Sequence, residues 1–268
     1  MIAPVASLLG LPRPAAYGRK PSLVLVNGLA EQAETWFRNL RAWRRHFDVY
    51  TPNIACYDGP ALQRRIADGL PIDIDYLVGQ LHTYLDSFVQ APPYFLVGNS
   101  MGGKVVVEYA VRHPKQVARL VLLCPSGLGD EEQLPIVEGV RRNDMRAMVD
   151  SVFYDVRLVD RDLVRFYQQR FTDRRWRLGL LRTIRGTMGH NVRELLPRVE
   201  QPTLLVSGQE DRIVDPEHAA AVAPLLPRGQ FVCLPQCGHA PQMEKAKVVN
   251  RLVIDFLTRP LPQPHGAA

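Results

Sequence analysis

The chain has 268 residues, 46% of them hydrophobic and 22% charged, which is enough for one large α/β domain with a buried core. No apolar run approaches the roughly 20 residues that cross a bilayer, so stable membrane insertion is not expected. The formal charge of +6 comes mostly from arginine, yet no nucleic-acid-binding motif accompanies it, and no nucleic-acid partner is expected.

The first 21 residues contain Pro4, Pro12, Pro14 and Pro21 and read as a proline-rich arm without a convincing strand. They also lack the basic n-region of a secretory leader, so the expected location is cytoplasmic. Short β-rich apolar runs follow: SLVLVN (22–27), DVYTPN (48–53), YFLVGN (94–99), LVLLCP (120–125), TLLVSG (203–208) and QFVCLP (230–235). Their near-continuous apolar character suits strands buried on both faces of a parallel sheet. Helical patterns lie at 34–46, 75–88, 103–113, 216–225 and 247–257, and this alternation predicts an α/β sheet of about six strands with flanking helices. Residues 127–197 carry only charged, amphipathic helical pattern, which predicts a helical insertion over the C-terminal edge of the sheet. The expected organisation is therefore an arm (1–21), a core in two pieces (22–127 and 198–258), a helical cap (128–197) and a flexible tail (259–268). Arg170, Arg174, Arg175, Arg177, Arg182 and Arg185 crowd the second half of that cap and read as a solvated helix face, with an anionic partner as the alternative.

The chemistry begins at Gly98-Asn99-Ser100-Met101-Gly102-Gly103, where a strand pattern gives way to a helix pattern. This is the nucleophile-elbow pattern: a strained turn presents the serine hydroxyl, and glycines two residues to either side let strand and helix approach. Ser100 is the expected nucleophile, and it needs a base. Among seven histidines, His239 follows a strand and lies beside Gly238 in the loop QCGHAPQMEK. His113, at a helix end, and His190 and His218, without a preceding strand, are poorer candidates. The base in turn needs a carboxylate to fix its tautomer. Asp211 lies in the loop after TLLVSG; Asp130, after LVLLCP, is the rival, and Asp215 before Pro216 reads as a helix N-cap. The oxyanion of the reaction needs two N–H donors. Met101 supplies the first, and Leu29, with Ala30 as the alternative, the second from the loop after the first strand. Asn27 and Asn99 flank the same region as possible substrate contacts. Cys56, Cys124, Cys233 and Cys237 form no disulfide framework, and Cys233, Cys237 and His239 lack a fourth ligand for zinc, so no metal is expected.

The segments VLVNGLAE, VGNSMGGKVVVEYA, VSGQEDRIVDP and QCGHAPQMEKAKVVNRLVIDFL occur in order over nearly the whole chain, and together they resemble the α/β-hydrolase superfamily. The resemblance implies a cap above the site and cofactor-free acyl chemistry on a small-molecule ester. GNSMGG, PSGLG and the His239 segment are similar to the carbon–carbon bond hydrolases of aromatic meta-cleavage pathways. Those relatives carry a tryptophan after the catalytic histidine, where this chain has Ala240, and a cap arginine where it has Tyr167. Arg165 or Arg170 would have to replace that arginine. Asn27-Gly28 stands where most relatives have His-Gly, and the proline-rich start leaves little room for their N-terminal antiparallel hairpin. The expected activity is ester hydrolysis by Ser100, His239 and Asp211, with carbon–carbon bond hydrolysis or ligand binding without catalysis as the alternatives.

Overall fold

Each of the six apolar runs becomes a strand in the computed structural model, which describes residues 20–31, 33–90, 92–129, 144–158 and 161–260. The strands are β1 (Ser22–Val26), β2 (Asp48–Tyr50), β3 (Tyr94–Asn99), β4 (Val117–Leu123), β5 (Thr203–Gly208) and β6 (Gly229–Leu234). They form one parallel sheet in the order β2-β1-β3-β4-β5-β6. Most of the proline-rich arm, the tail beyond Pro260, Asp130 and the place of an N-terminal hairpin all lie outside the described residues.

Successive strand residues face opposite sides of the sheet, and both sides are apolar. Val24, Val26, Leu96, Leu120, Leu122 and Leu205 join one core with helices α3 (Ile74–Phe88) and α4 (Met101–Arg112). Leu23, Leu25, Val97, Val121, Leu123, Leu204 and Val206 join a second core with Trp36, with Trp43 of α1 (Phe37–Trp43), and with Val249 and Val253 of a C-terminal helix (Ala246–Thr258). This two-sided burial explains why the sequence runs are continuous rather than alternating.

Two boundaries differ from the sequence expectation for physical reasons. Strand β4 begins at Val117, three residues early, although Arg119 interrupts the apolar run. The Arg119 guanidinium is buried against the end of the C-terminal helix, donating to the carbonyls of Phe256 and Arg259, where a cation suits the exposed carbonyl ends. Strand β2, an edge, stops at Tyr50, short of Pro52, which has no N–H to donate to a ladder. A further helix, α2 (Pro60–Ala67), starts with proline at its first position after Gly59 and carries too few apolar residues to stand out in the sequence.

Between β4 and β5 the described residues form α5 (Met145–Val152), α6 (Arg161–Thr172) and α7 (Arg174–Thr187), the last N-capped by Asp173. After β5 come α8 (Pro216–Val222), α9 (Pro241–Glu244) and the C-terminal helix, α10. The chain leaves β1 toward β2 on one side and returns to β3 on the other. The loops after β1 and β3 therefore open a crevice at the C-terminal ends of adjacent strands, the place where open α/β sheets bind ligands.

Candidate active site

Ser100 closes β3 and precedes α4 with φ 51° and ψ −121°, a backbone conformation that L residues rarely adopt. Such a turn costs about 1–3 kcal/mol and persists only where neighbours over-determine it. Here they do. Ser100 N–H donates to Leu123 O (3.0 Å), and Ser100 O accepts from Gly103 N–H (2.8 Å) and Ser126 N–H (3.2 Å). The glycines around it are required by backbone proximity. A Cβ on Gly98 would lie 2.5 Å from Gly102 O, and one on Gly102 would lie 2.3 Å from Val26 O. One on Gly103 would lie 2.5 Å from Pro125 Cβ. Asn99 is fully buried and donates its amide to Leu123 O (3.0 Å), so its side chain secures the elbow to β4.

His239 and Asp211 meet as a buried pair, with Nδ1 2.8 Å from Oδ2. The other carboxylate oxygen, Oδ1, accepts from the N–H groups of Ile213 (2.8 Å) and Val214 (3.1 Å). Burial pushes the Asp211 carboxyl upward, but His239 and the two backbone donors outweigh it and hold the group below the usual aspartate range. The loops carrying the pair are fastened together. Glu210 N–H donates to Cys237 O (3.0 Å), Cys237 N–H donates to the Glu210 carboxylate (2.9 Å), and Gly208 packs directly on the Gly238 carbonyl. Asp215, by contrast, accepts from Glu217 N–H and caps α8, as its position before Pro216 suggests.

Cys124, at the end of β4 with φ 42°, places its thiol in the same cluster; the ligating atoms of Cys124, Asp211 and His239 all lie within 4.8 Å of one another. That spacing would also suit a metal ion. However, Nδ1 and Oδ2 already engage each other, and burial, followed by the Asp211 charge, pushes the thiol well up and keeps it protonated. Among the described residues Cys233, Cys237 and His239 do not gather as a ligand cluster, and Cys233 is exposed on the edge strand β6.

The loop after β1 engages the N–H groups on either side of Leu29. Gly28 N–H donates to the Glu31 carboxylate (2.9 Å), and Ala30 N–H donates to the Tyr57 hydroxyl (3.0 Å). Leu29 N–H lies between them without a partner among the described residues, as does Met101 N–H at the start of α4. Ala30, the alternative donor, is thus already engaged. Asn27 is buried and accepts from Trp36 Nε1, while its own amide nitrogen has no partner among the described residues. The Trp36 bond braces the loop against the core.

Glu31 and Glu244, which the sequence does not mark, complete the surroundings together with three cap residues that it does. A Cβ built on Gly28 would lie 3.0 Å from Ser100 Cβ and 3.1 Å from Glu31 Oε2, so the Glu31 carboxylate sits one residue's width from the serine. Burial raises its titration, against the Gly28 hydrogen bond and the charge of His239. Tyr167 of α6 is buried near it: burial, then the charge of Glu31, pushes its phenol far up. Arg165 does not come to the site; it is exposed and paired with Asp162 (3.0 Å). Arg170 is half-buried, 3.4 Å from Asp58 and above the Phe166 ring. Glu244 of α9 accepts from Gly238 N–H (2.8 Å) and from Tyr154 N–H (2.8 Å) just beyond α5, while His239 N–H donates to Val152 O (2.8 Å). The only sequence trace of Glu31 and Glu244 is an acidic residue inside an otherwise apolar loop or first helical turn.

Comparison with known proteins agrees with this architecture. The family described as "Alpha/beta hydrolase family" matches residues 23–252, and the chain belongs to it. A monoacylglycerol lipase of Xenopus laevis is 24% identical over 90% of this chain and 76% of its own length, and the human monoacylglycerol lipase gives the same figures. Among solved structures, a meta-cleavage product hydrolase superposes with TM-score 0.75 at 22% identity, over 90% of this chain and 92% of the other. The protein is a hydrolase of this family.

Proposed function

We propose that the protein is a serine hydrolase that cleaves a carboxylic ester through an acyl-enzyme. The observation that carries this reading is the buried His239–Asp211 pair in the loops after β5 and β6, at the same sheet edge as an elbow serine held at φ 51° after β3. Asp211 accepts a hydrogen bond from Nδ1–H, which leaves Nε2 of His239 as the basic nitrogen for the reaction. As Ser100 Oγ attacks the ester carbonyl, Nε2 takes its proton, and the imidazolium that forms is stabilised by Asp211. Charge on the former carbonyl oxygen is received by the N–H groups of Met101 and Leu29, each donor worth roughly 3–4 kcal/mol in the transition state. His239 then protonates the departing alkoxide. Water, deprotonated by the same nitrogen, attacks the acyl carbon, and its collapse returns the proton to Ser100 and frees the acid.

The ester reading is preferred over carbon–carbon bond hydrolysis of a dienoate because of charge. A dienoate presents a carboxylate that needs a cation, yet the groups placed nearest Ser100 are Glu31 and, close to it, Tyr167, while Arg165 faces solvent and Arg170 is paired with Asp58. The names of the similar monoacylglycerol lipases support an ester in the same direction.

The test is turnover of p-nitrophenyl butyrate beside one meta-cleavage dienoate. Wild type is expected to hydrolyse the ester and spare the dienoate, and Ser100→Ala to lose about 10⁴-fold or more in kcat. Equal rates for wild type and Ser100→Ala would remove the proposal, and dienoate cleavage without ester cleavage would replace it. Labelling of Ser100 by a fluorophosphonate separates both from a protein that only binds, whose serine would not react.

A further inference from the structure

Helix α7 buries one face and leaves the other with an unusual composition. Trp176, Gly179, Leu180, Thr183, Ile184 and Thr187 face inward. Gly179 and Gly186 let the helix lie backbone against backbone on residues 57–72: a Cβ on Gly179 would lie 2.2 Å from Tyr57 O, and one on Gly186 2.3 Å from Ile72 O. The helix is therefore held firmly and cannot roll to hide its outer face. At 100° per residue that outer face carries Arg174, Arg175, Arg177, Leu178, Leu181, Arg182 and Arg185, and Met188 continues it at the C-terminal end. Leu178, Leu181 and Met188 are 40%, 37% and 55% exposed. They lie in the middle of the arc, with arginines on either side of and between them. No acidic residue occurs from Arg174 to Met188, and none of these five arginines makes an ion pair with a side chain among the described residues.

We infer that this outer face of α7 docks the protein on an anionic lipid surface. Arginines without carboxylate partners suit the phosphates of lipid headgroups, which a guanidinium contacts through two donors at once. The exposed leucines and methionine have a place only in a partner that offers an apolar layer beneath its charges, and a basic amphipathic helix lying in the interface plane has this arrangement. A second copy of the chain would bring five arginines against five, which repel. A nucleic acid would meet the charges, but the outer face offers it no aromatic ring on which to stack a base. Docking does not depend on the catalytic reading and can be measured without turnover.

The experiment is cosedimentation of the full chain with phosphatidylcholine vesicles made with and without phosphatidylglycerol, at low and high salt. The expected result is pelleting only with phosphatidylglycerol, weakened by salt. Arg182→Gln/Arg185→Gln should weaken binding about 30-fold, following the roughly fivefold effect of each basic residue near an anionic surface. Leu178→Ser/Leu181→Ser, which keeps the charge, should weaken it by a similar factor. Unchanged circular dichroism melting would confirm that these surface variants are folded. Absence of pelleting by folded wild type at low salt would overturn the inference, as would arginine variants that bind as well as wild type. Binding that ignores the leucines and transfers equally to duplex DNA would also overturn it, replacing the lipid surface by a general polyanion.

Discussion

Asp211 does two things with two oxygens, and the difference decides what a conservative change would do. Oδ1 holds its loop through Ile213 and Val214, and Oδ2 orients His239. Asparagine in place of aspartate keeps an acceptor for the loop but turns a donor toward Nδ1. The imidazole then carries its proton on Nε2, where the proposed mechanism places the base for Ser100. Asp211→Asn is expected to lose about 10⁴-fold in kcat on p-nitrophenyl butyrate with KM nearly unchanged. The same carboxyl also links stability to pH. Its folded-state titration lies below the ordinary aspartate range, so the stability it contributes is fully present above about pH 4 and is lost as pH falls through the folded value. Thermal melts should therefore separate wild type from Asp211→Asn by about 1–2 kcal/mol near neutrality, the difference closing in acid. A constant difference across that range would contradict the assignment.

Among the elements, α9 has an influence out of proportion to its four residues. Its Glu244 ties Gly238, directly before His239, to Tyr154 and Asp155 at the exit of α5. His239 N–H reaches Val152 O on the same exit. One carboxylate thus sets the distance between the histidine loop and the helical insertion. Burial is the largest influence on Glu244 and raises its titration, while its several backbone donors act in the opposite sense. Glu244→Ala would leave those N–H groups with one acceptor fewer, at a cost of about 1–3 kcal/mol. The catalytic consequence should exceed the thermal one. His239 would lose its registration, and a displacement of an ångström or less typically lowers kcat by up to about 100-fold. Glu244→Gln, which keeps one acceptor oxygen, should recover part of the activity; measuring kcat and melting temperature for both variants tests this. Equal activity in all three proteins would refute a positioning role.

At the scale of the molecule, what could be read from sequence follows from how many residues enforce each feature. The strands were legible because both faces of the sheet are buried, which makes every position in YFLVGN or TLLVSG apolar or small. The elbow was legible because three glycines are each required by a backbone atom within 2.5 Å or a proline ring. Glu31 was not, since a single acidic residue after NGLA is indistinguishable from a solvated loop until Gly28 and Ser100 are seen on either side of it. The start of β4 was missed for a similar reason: Arg119 reads as surface until the carbonyls at the end of α10 are in place.

The charge distribution gives the last test. The chain carries a net +6, which draws anions toward it at long range. Next to Ser100, however, the nearest acidic group outside the His239–Asp211 pair is Glu31, with the neutral Tyr167 close by. At short distance the partly buried carboxylate prevails, because it is screened far less than the surface arginines. A substrate with a carboxylate in its acyl chain should therefore be attracted to the surface and disfavoured at the site. Wild type is expected to prefer p-nitrophenyl butyrate over mono-p-nitrophenyl succinate in kcat/KM. Glu31→Gln, which retains an acceptor for Gly28 N–H, should narrow that preference about tenfold, the effect of one unit charge at several ångströms in a medium of intermediate dielectric. The stability signature has its own sign. Because burial raises the Glu31 titration, its ionisation opposes folding once pH exceeds the ordinary glutamate range. Glu31→Gln should thus melt higher than wild type at mildly alkaline pH and equally in acid. A preference for the neutral ester that is the same in both proteins would mean that Glu31 does not select the substrate.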